Sequence, residues 1–238
     1  MKPQSSLDLS IILPILNEAP LIRPALRRLL PLRRQGVEVI VVDGGSQDGS
    51  SERVGPFAEQ CMRSERGRSI QMNAGAQAAR GRVLLFLHVD TLLPLDAKCQ
   101  IQSALADNSR CWGRFDVRIE GKHPSLRVIA VMMNLRSRLT GIATGDQALF
   151  VTCEAFERVG GFPPQALMED IALSRSLKRL SPPACLRATV VTSGRRWERH
   201  GVLRTITLML WLRLTYFLGV SPQRLARWYG YRGEIKPR

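Results

Sequence analysis

Apolar positions along the chain alternate between short continuous runs and helically spaced segments. Residues 9–13 form a continuous apolar run, residues 19–30 carry apolar side chains at helical spacing, and residues 37–42 form a second, near-continuous run. The second run is bounded by Gly36 and by Asp43-Gly44-Gly45, which break regular structure. A strand, helix, strand unit is predicted, and the pattern continues. Residues 69–80 read as a helix of small side chains, with Met72, Ala76 and Ala79 on one side, and 82–87 as a buried strand ending at His88-Val89-Asp90. Residues 96–106 read as a helix, 112–119 as an alternating strand and 125–139 as a helix. After a loop at 141–145 come a short strand at 148–151, a helical turn at 154–159, a break at Gly160-Gly161, and a helix at 171–180 that opens just after Met168-Glu169-Asp170.

Runs such as Val-Glu-Val-Ile-Val-Val indicate strands covered on both faces, the habit of a parallel sheet in an α/β domain. The chain shows no internal repeat or low-complexity segment, and Pro182-Pro183 is its clearest punctuation. The expected organisation is a mostly parallel, Rossmann-like sheet flanked by helices over residues 1–186. A basic, partly apolar helical tail is expected over 187–238.

Composition narrows the class. With 238 residues, 45% apolar and 23% charged, the chain is long enough for one sizeable core, which excludes disorder and collagen. Its five cysteines contain no Cys-x-x-Cys pair, so neither a disulfide framework nor a zinc knuckle is indicated. The first apolar run is broken by Pro14 and leads into Asn17-Glu18 without a cleavage site, so no signal peptide is read there and a cytoplasmic location is expected. Net charge is +15, and only five of the 35 basic residues are Lys. Arginine grips phosphate with a planar fork, which suits nucleotide diphosphates, nucleic acid or anionic lipid. The excess is concentrated after residue 186, with eleven basic residues against Glu198 and Glu234. Within that segment, residues 202–220 approach the length of a membrane span. Arg204 and the central Arg213 each oppose insertion by roughly 2.5–3.5 kcal/mol at a helix centre, so peripheral attachment to the inner face of the cell membrane is the expectation, not spanning.

Ligands of open α/β sheets collect beyond the carboxyl ends of the strands. The polar residues there are Asn17-Glu18, the segment Asp43-Gly44-Gly45-Ser46-Gln47-Asp48-Gly49, His88-Val89-Asp90 and Gly145-Asp146-Gln147. No dinucleotide fingerprint or P-loop is present. Asp43, beside Gly45, is suited to accept hydrogen bonds from a base or ribose, and equally suited to an ordinary strand-to-helix turn. Asp90 can anchor a divalent cation whose other ligands are diphosphate oxygens, with His88 either a direct ligand of manganese or a supporting group behind it. Glu169 and Asp170 stand at the positive end of a helix dipole, as a general base or simply an acidic first turn. Arg196 and Trp197 combine charge with an aromatic plane.

Taken in order, Ser10-Ile-Ile-Leu-Pro-Ile-Leu-Asn-Glu18, Val42-Asp-Gly-Gly-Ser-Gln-Asp-Gly-Ser50, Phe86-Leu-His-Val-Asp-Thr91 and Met168-Glu-Asp170 resemble the motifs of family-2 glycosyltransferases with the GT-A fold. The nearest likeness is a short bacterial branch whose metal motif reads His-x-Asp. The resemblance implies that Pro14, Glu18, Asp43 and Gly45 line the nucleotide pocket, with Arg68, Asn73, Asp146, Arg196 and Trp197 also on the nucleotide-sugar. It implies Asp90 and His88 at a Mn2+ or Mg2+ ion. It makes Asp170, with Glu169 beside it, the base of an inverting transfer from a nucleotide-diphosphate sugar to an acceptor hydroxyl, a lipid-borne acceptor being one candidate. The sequence departs from the common family pattern at His88, where an Asp usually stands, and at Gly44, where a second Asp often follows. The alternatives are a sugar-phosphate nucleotidyltransferase, which would carry a Gly-rich basic loop where Asn17-Glu18-Ala19-Pro20 stands, a transferase that binds without turnover, and a basic nucleic-acid- or anionic-surface-binding protein. Aromatics of 6% and the absence of a binding motif speak against nucleic acid.

Overall fold

The structure, a computed structural model, describes residues 9–230. It opens with strand β1 (Leu9–Ile15), helix α1 (Ala19–Arg34), β2 (Glu38–Asp43), β3 (Gln60–Arg63), α2 (Arg68–Ala78), β4 (Val83–Phe86), β5 (Thr91–Leu92) and α3 (Ala97–Leu105). It continues through β6 (Trp112–Glu120), α4 (Ser125–Thr140), β7 (Phe150–Thr152), α5 (Cys153–Arg158), α6 (Glu169–Leu177) and β8 (Ala184–Ser193). Helices α7 (Arg195–His200), α8 (Val202–Phe217) and α9 (Pro222–Trp228) follow.

One sheet takes all eight strands in the order β3-β2-β1-β4-β7-β6-β8-β5. The first four in that order are parallel, β7 runs antiparallel to both β4 and β6, β6 and β8 are parallel, and β5 closes the edge antiparallel to β8. Successive side chains of a strand face opposite sides, and this divides the core in two. Leu9, Ile11, Leu13, Val39, Val41, Val83 and Leu85 pack on the face covered by α1 and α3. Ile12, Ile40, Val42, Leu84 and Phe86 pack on the other with Met72, Phe156 and Leu173 from α2, α5 and α6. Both faces being covered is why these strands read as unbroken apolar runs.

Pro14 sits in central β1 without disturbing it. The Ile12 carbonyl accepts from Leu87 N at 3.0 Å at the end of β4. Residue 14 faces the same edge two positions on, beyond the β4 ladder, where a missing N–H breaks nothing. Helix α2 lies close enough on the sheet that a Cβ at Gly75 would stand 2.5 Å from Ile12 Cγ2.

Three strands were not among the predicted elements: the short edge strands β3 and β5, and the ten-residue β8 between β6 and β5. The boundary expected between residues 186 and 187 falls inside β8, whose pairing with β6 runs from Gly113↔Ala184 to Glu120↔Ser193. Helix α6 begins two residues earlier than predicted, so Glu169 and Asp170 form its first turn. The C-terminal helices pack on the domain: Leu212 and Leu225 are fully buried against Ile142, Met168 and Ile171. No helix among the described residues is long and apolar enough to cross a membrane.

Gly113 fixes the junction between β7, β6 and β8. A Cβ there would stand 2.4 Å from the Ala184 carbonyl oxygen and 2.5 Å from Phe150 Cζ. Gly113→Ala should therefore cost stability at the upper end of the roughly 1–3 kcal/mol typical of overpacking, read as a lowered midpoint in urea denaturation. An unchanged midpoint would show that the junction yields without strain.

Candidate active site

The loop after β2 is built by Asp43. Its carboxylate, almost wholly buried, accepts from Ser46 N at 3.0 Å, from the Ser46 hydroxyl and from the Ser51 hydroxyl at 2.8 Å. Burial would push this carboxyl up, but the hydrogen bonds from Ser46, Ser51 and Gly45 outweigh it and hold it below the usual range. Gly45, at φ +91°, supplies the left-handed turn that a side chain would resist. The loop is then tied to the end of β1. Asn17 N donates to Ser46 Oγ at 2.9 Å, Glu18 N to Ser50 Oγ at 2.8 Å, and Ala19 N to Asp48 at 2.9 Å.

Glu18 faces the next part of the rim. Burial raises its pKa, Arg195 and His88 oppose the shift, and Asp90 and Asp48 add to it, so these groups share one electrostatic neighbourhood. Asp90 accepts from Arg195 Nη2 at 3.2 Å, and its side chain is 27% exposed. Of the Arg195-Arg196-Trp197 stretch, Arg195 thus reaches the rim. Arg196 stacks on Tyr229 at 3.7 Å from the ring centre, and Trp197 packs beside Ile119, Leu126 and Ala130.

A small pocket lined by Arg68, Met72, Phe86, His88, Gly145, Leu149, Phe162, Glu169 and Asp170 lies beyond. Four of the predicted site residues, Arg68, His88, Glu169 and Asp170, meet here from three separate segments. Asp170 accepts from Gly145 N at 2.8 Å and from its neighbour Ile171 N at 2.7 Å. Glu169, 3% exposed, is pushed up by burial against the opposing charge of Arg68, which lies 3.5 Å away. Met168, in the left-handed region at φ +65°, turns the chain into this acidic first turn. His88 Nδ1 stands 3.4 Å from Asp146 Oδ1. Desolvation raises the Asp146 pKa, but the His88 hydrogen bond, with His88, Arg68 and Arg213 as neighbouring charges, holds it below the ordinary value. Gly145 is required for that approach, because a Cβ would stand 2.6 Å from His88 Nε2.

Asn73, expected near the nucleotide, binds the backbone of Phe162, a residue of the pocket lining. Its amide clamps the Phe162 backbone in both directions, Nδ2 to the carbonyl at 2.8 Å and Phe162 N to Oδ1 at 2.9 Å. Gln71, which the sequence did not single out, donates from Nε2 to the carbonyls of Ile15 and Val42, both at 2.8 Å. Its position on a small-residue helix gave no sign of this role.

The family sequence model described as glycosyl transferase family 2 matches residues 10–157. The chain belongs to that family. A curated family relative by name, the dolichol-phosphate mannosyltransferase of Saccharomyces cerevisiae, is 30% identical over 115 residues. That match spans 44% of this chain and 43%, under half, of the yeast protein. Among solved structures, the mannosyltransferase PcManGT of Pyrobaculum calidifontis, in complex with GDP-Man and Mn2+, superposes with a TM-score of 0.64 at 21% identity over 96% of this chain and 70% of its own. Glucosyl-3-phosphoglycerate synthase of Mycobacterium tuberculosis, in complex with Mn2+, UDP and glucosyl-3-phosphoglycerate, gives a TM-score of 0.56 at 16% identity over 78% and 71%. The fold of this family-2 chain is GT-A, and its matched span carries the Asp43, Asp90 and Asp146 segments of the rim.

No group of three or more His, Cys, Asp or Glu side chains converges as a preformed metal cage among the described residues. A lone accessible carboxylate at Asp90 fits a hard cation that takes most of its oxygens from a ligand. Arg195 must then release Asp90 or swing towards the same ligand.

The depressed Asp43 pKa makes a pH prediction. Its stabilising contribution is fully present above the unfolded value of about 3.9 and is lost as pH falls through the lower folded value. In thermal melts across a pH series, Asp43→Asn should be less stable than the wild type at neutral pH, with the gap narrowing steadily below about pH 4. A gap that stays constant into acid would mean that the carboxylate charge does not hold the loop.

Proposed function

We propose that the chain is an inverting glycosyltransferase that moves a sugar from a nucleotide-diphosphate donor to an acceptor hydroxyl, with Asp170 as the general base. The observation that carries this reading is the fixed Asp170 carboxylate. Two backbone N–H groups orient it, and it borders the same pocket as Arg68 and His88. A base must be held within hydrogen-bond reach of the proton it takes, and anchoring at a helix start provides that. As the acceptor oxygen attacks the anomeric carbon, its proton passes to Asp170. The carbon–oxygen bond to the diphosphate breaks on the opposite face, with no covalent sugar-enzyme intermediate.

Asp43 shapes the loop that meets the base and ribose, and Glu18 and Pro14 border the same end. Asp90 would hold a divalent cation, Mn2+ or Mg2+, which when bound neutralises charge on the departing diphosphate. His88 acts in this reading as a positioning residue, holding the Gly145-Asp146 turn whose backbone orients Asp170. Arg195 is placed to follow the diphosphate once Asp90 is engaged.

The surface of the C-terminal helices supports a peripheral contact with anionic lipid and, with it, a lipid-borne acceptor. Leu203, Leu210, Trp211, Leu214, Phe217 and Leu218 lie exposed along one face of α8, and Arg204, Arg224 and Arg227 are exposed nearby. An apolar face rimmed by arginines matches an anionic bilayer interface.

Nucleoside diphosphates with Mn2+ should raise the melting temperature of the wild type, and Asp90→Ala should abolish the metal-dependent part. Asp170→Asn should keep the nucleotide-induced shift while transfer falls by about 10²–10⁴-fold. Absence of a shift with any nucleotide would remove the transferase reading. In a separate vesicle sedimentation assay, the protein should pellet with phosphatidylglycerol vesicles and not with phosphatidylcholine alone. Leu210→Glu combined with Leu214→Glu should leave it in the supernatant, and equal pelleting of that variant would exclude α8 as the contact.

A further inference from the structure

Three arginines stand on elements that carry none of the motif residues: Arg136 on α4 and Arg213 on α8 both interact with the charge of Asp170, and Arg114 on β6 with that of Arg136. Arg114, wholly buried, is bonded to Asp116 and to the Asn134 carbonyl at 3.3 Å. The other two lack such partners. Arg136 has Nε and Nη2 buried without a hydrogen bond. Its electrostatic neighbours are Arg213, Asp170 and Arg114, and those of Arg213 are Asp170 and Asp146. Neither Arg136 nor Arg213 is in an ion pair among the described residues. Burial and the like charge of Arg213 lower the Arg136 pKa to about 10, so it remains a cation at neutral pH.

Two desolvated guanidinium groups that feel each other's charge, one of them with two buried nitrogens unmet, gain nothing in the free protein. An oxyanion between them would supply both the missing acceptors and the missing charge, and the guanidinium fork fits phosphate or carboxylate geometry. We propose that Arg136 and Arg213 form an oxyanion subsite beside Asp170 that holds a phosphate or carboxylate group of the acceptor. This rests on the transferase reading above and specifies its acceptor class. The acceptor is assigned in preference to the donor diphosphate because of the neighbours. Arg195, Asp90, Asp48 and His88 act on Glu18 at the nucleotide end, whereas Asp170 acts on both of these arginines and Asp146 on Arg213.

The probe is inorganic phosphate, titrated into the full chain while melting temperature is followed, with and without saturating nucleoside diphosphate and Mn2+. Phosphate should stabilise the wild type in both conditions. Arg136→Met and Arg213→Met should each weaken phosphate binding about ten-fold or more, the scale of a lost charged hydrogen bond. Both should retain nucleotide affinity within about two-fold, with Arg213→Lys intermediate for phosphate. Without ligand, Arg136→Met should melt about 2–4 °C above the wild type, because an unmet buried cation is removed. A residue that serves only packing would lower the melting point instead, and that result would overturn the proposal. Equal phosphate binding by wild type and both variants would also overturn it. So would competition between phosphate and nucleotide with joint loss of both in the variants, which would assign the arginines to the donor diphosphate. If phosphate behaves as expected and no nucleotide binds, the transferase reading fails while the oxyanion site stands.

Discussion

Where parallel strands β1 and β2 end, the Ile15 carbonyl accepts from Gly44 N at 3.0 Å, and the buried Gln71 amide donates to that carbonyl and to the Val42 carbonyl, both at 2.8 Å. A carbonyl oxygen has a second lone pair to fill, so this one side chain of α2 clamps the two strand ends together at the point where the following loops leave. Gly44 lies directly over it, and a Cβ there would stand 3.0 Å from the Gln71 amide carbon. The Asp43 loop therefore has to leave flat against the strand ends. The β1–α1 turn, hydrogen-bonded to that loop by Asn17, Glu18 and Ala19, follows the same course. The course of this end of the rim thus follows from how two carbonyls are satisfied.

Much of this was legible in the sequence because parallel, doubly covered strands leave an unmistakable pattern. β1, β2 and β4 each read as apolar runs, and the polar residues that follow them gather at one rim. The strands that were not read have a different character. β3, Gln-Cys-Met-Arg, alternates half-buried with exposed positions at an edge, and β8 interleaves Arg187 and several half-exposed residues behind Pro182-Pro183. Their burial is decided by neighbours distant in the chain, which a local pattern does not record.

The site shows the same division. Asp43 and Asp90, beside strand ends, and Asp170, at a helix start, stand at positions that the sequence pattern marks out, while the roles expected of them came from the family resemblance. Asn73 and Trp197 could be named but not placed: the Asn73 amide is committed to the Phe162 backbone, and Trp197 to an apolar cluster. Arg136 and Arg213 sit on helices whose apolar pattern suggests only packing or a membrane surface. Arg213 was visible as an anomaly, a cation amid an apolar run, before the fold supplied the carboxylates near it.

The position of β8 bears on how the chain matures during synthesis. β5 directly follows Asp90, yet its partner in the sheet is β8, and the pairing Thr91↔Thr192 joins residues about a hundred positions apart. A ribosome delivers the Asp43 end of the rim, with β1, β2 and β4, long before it delivers β8 and Arg195. Long-range pairing of this kind is slow to form, and domains acquire structure as the chain emerges. The Asp90–Arg195 end of the rim is therefore the last part to be assembled, after the Asp43 end already has its loops in place.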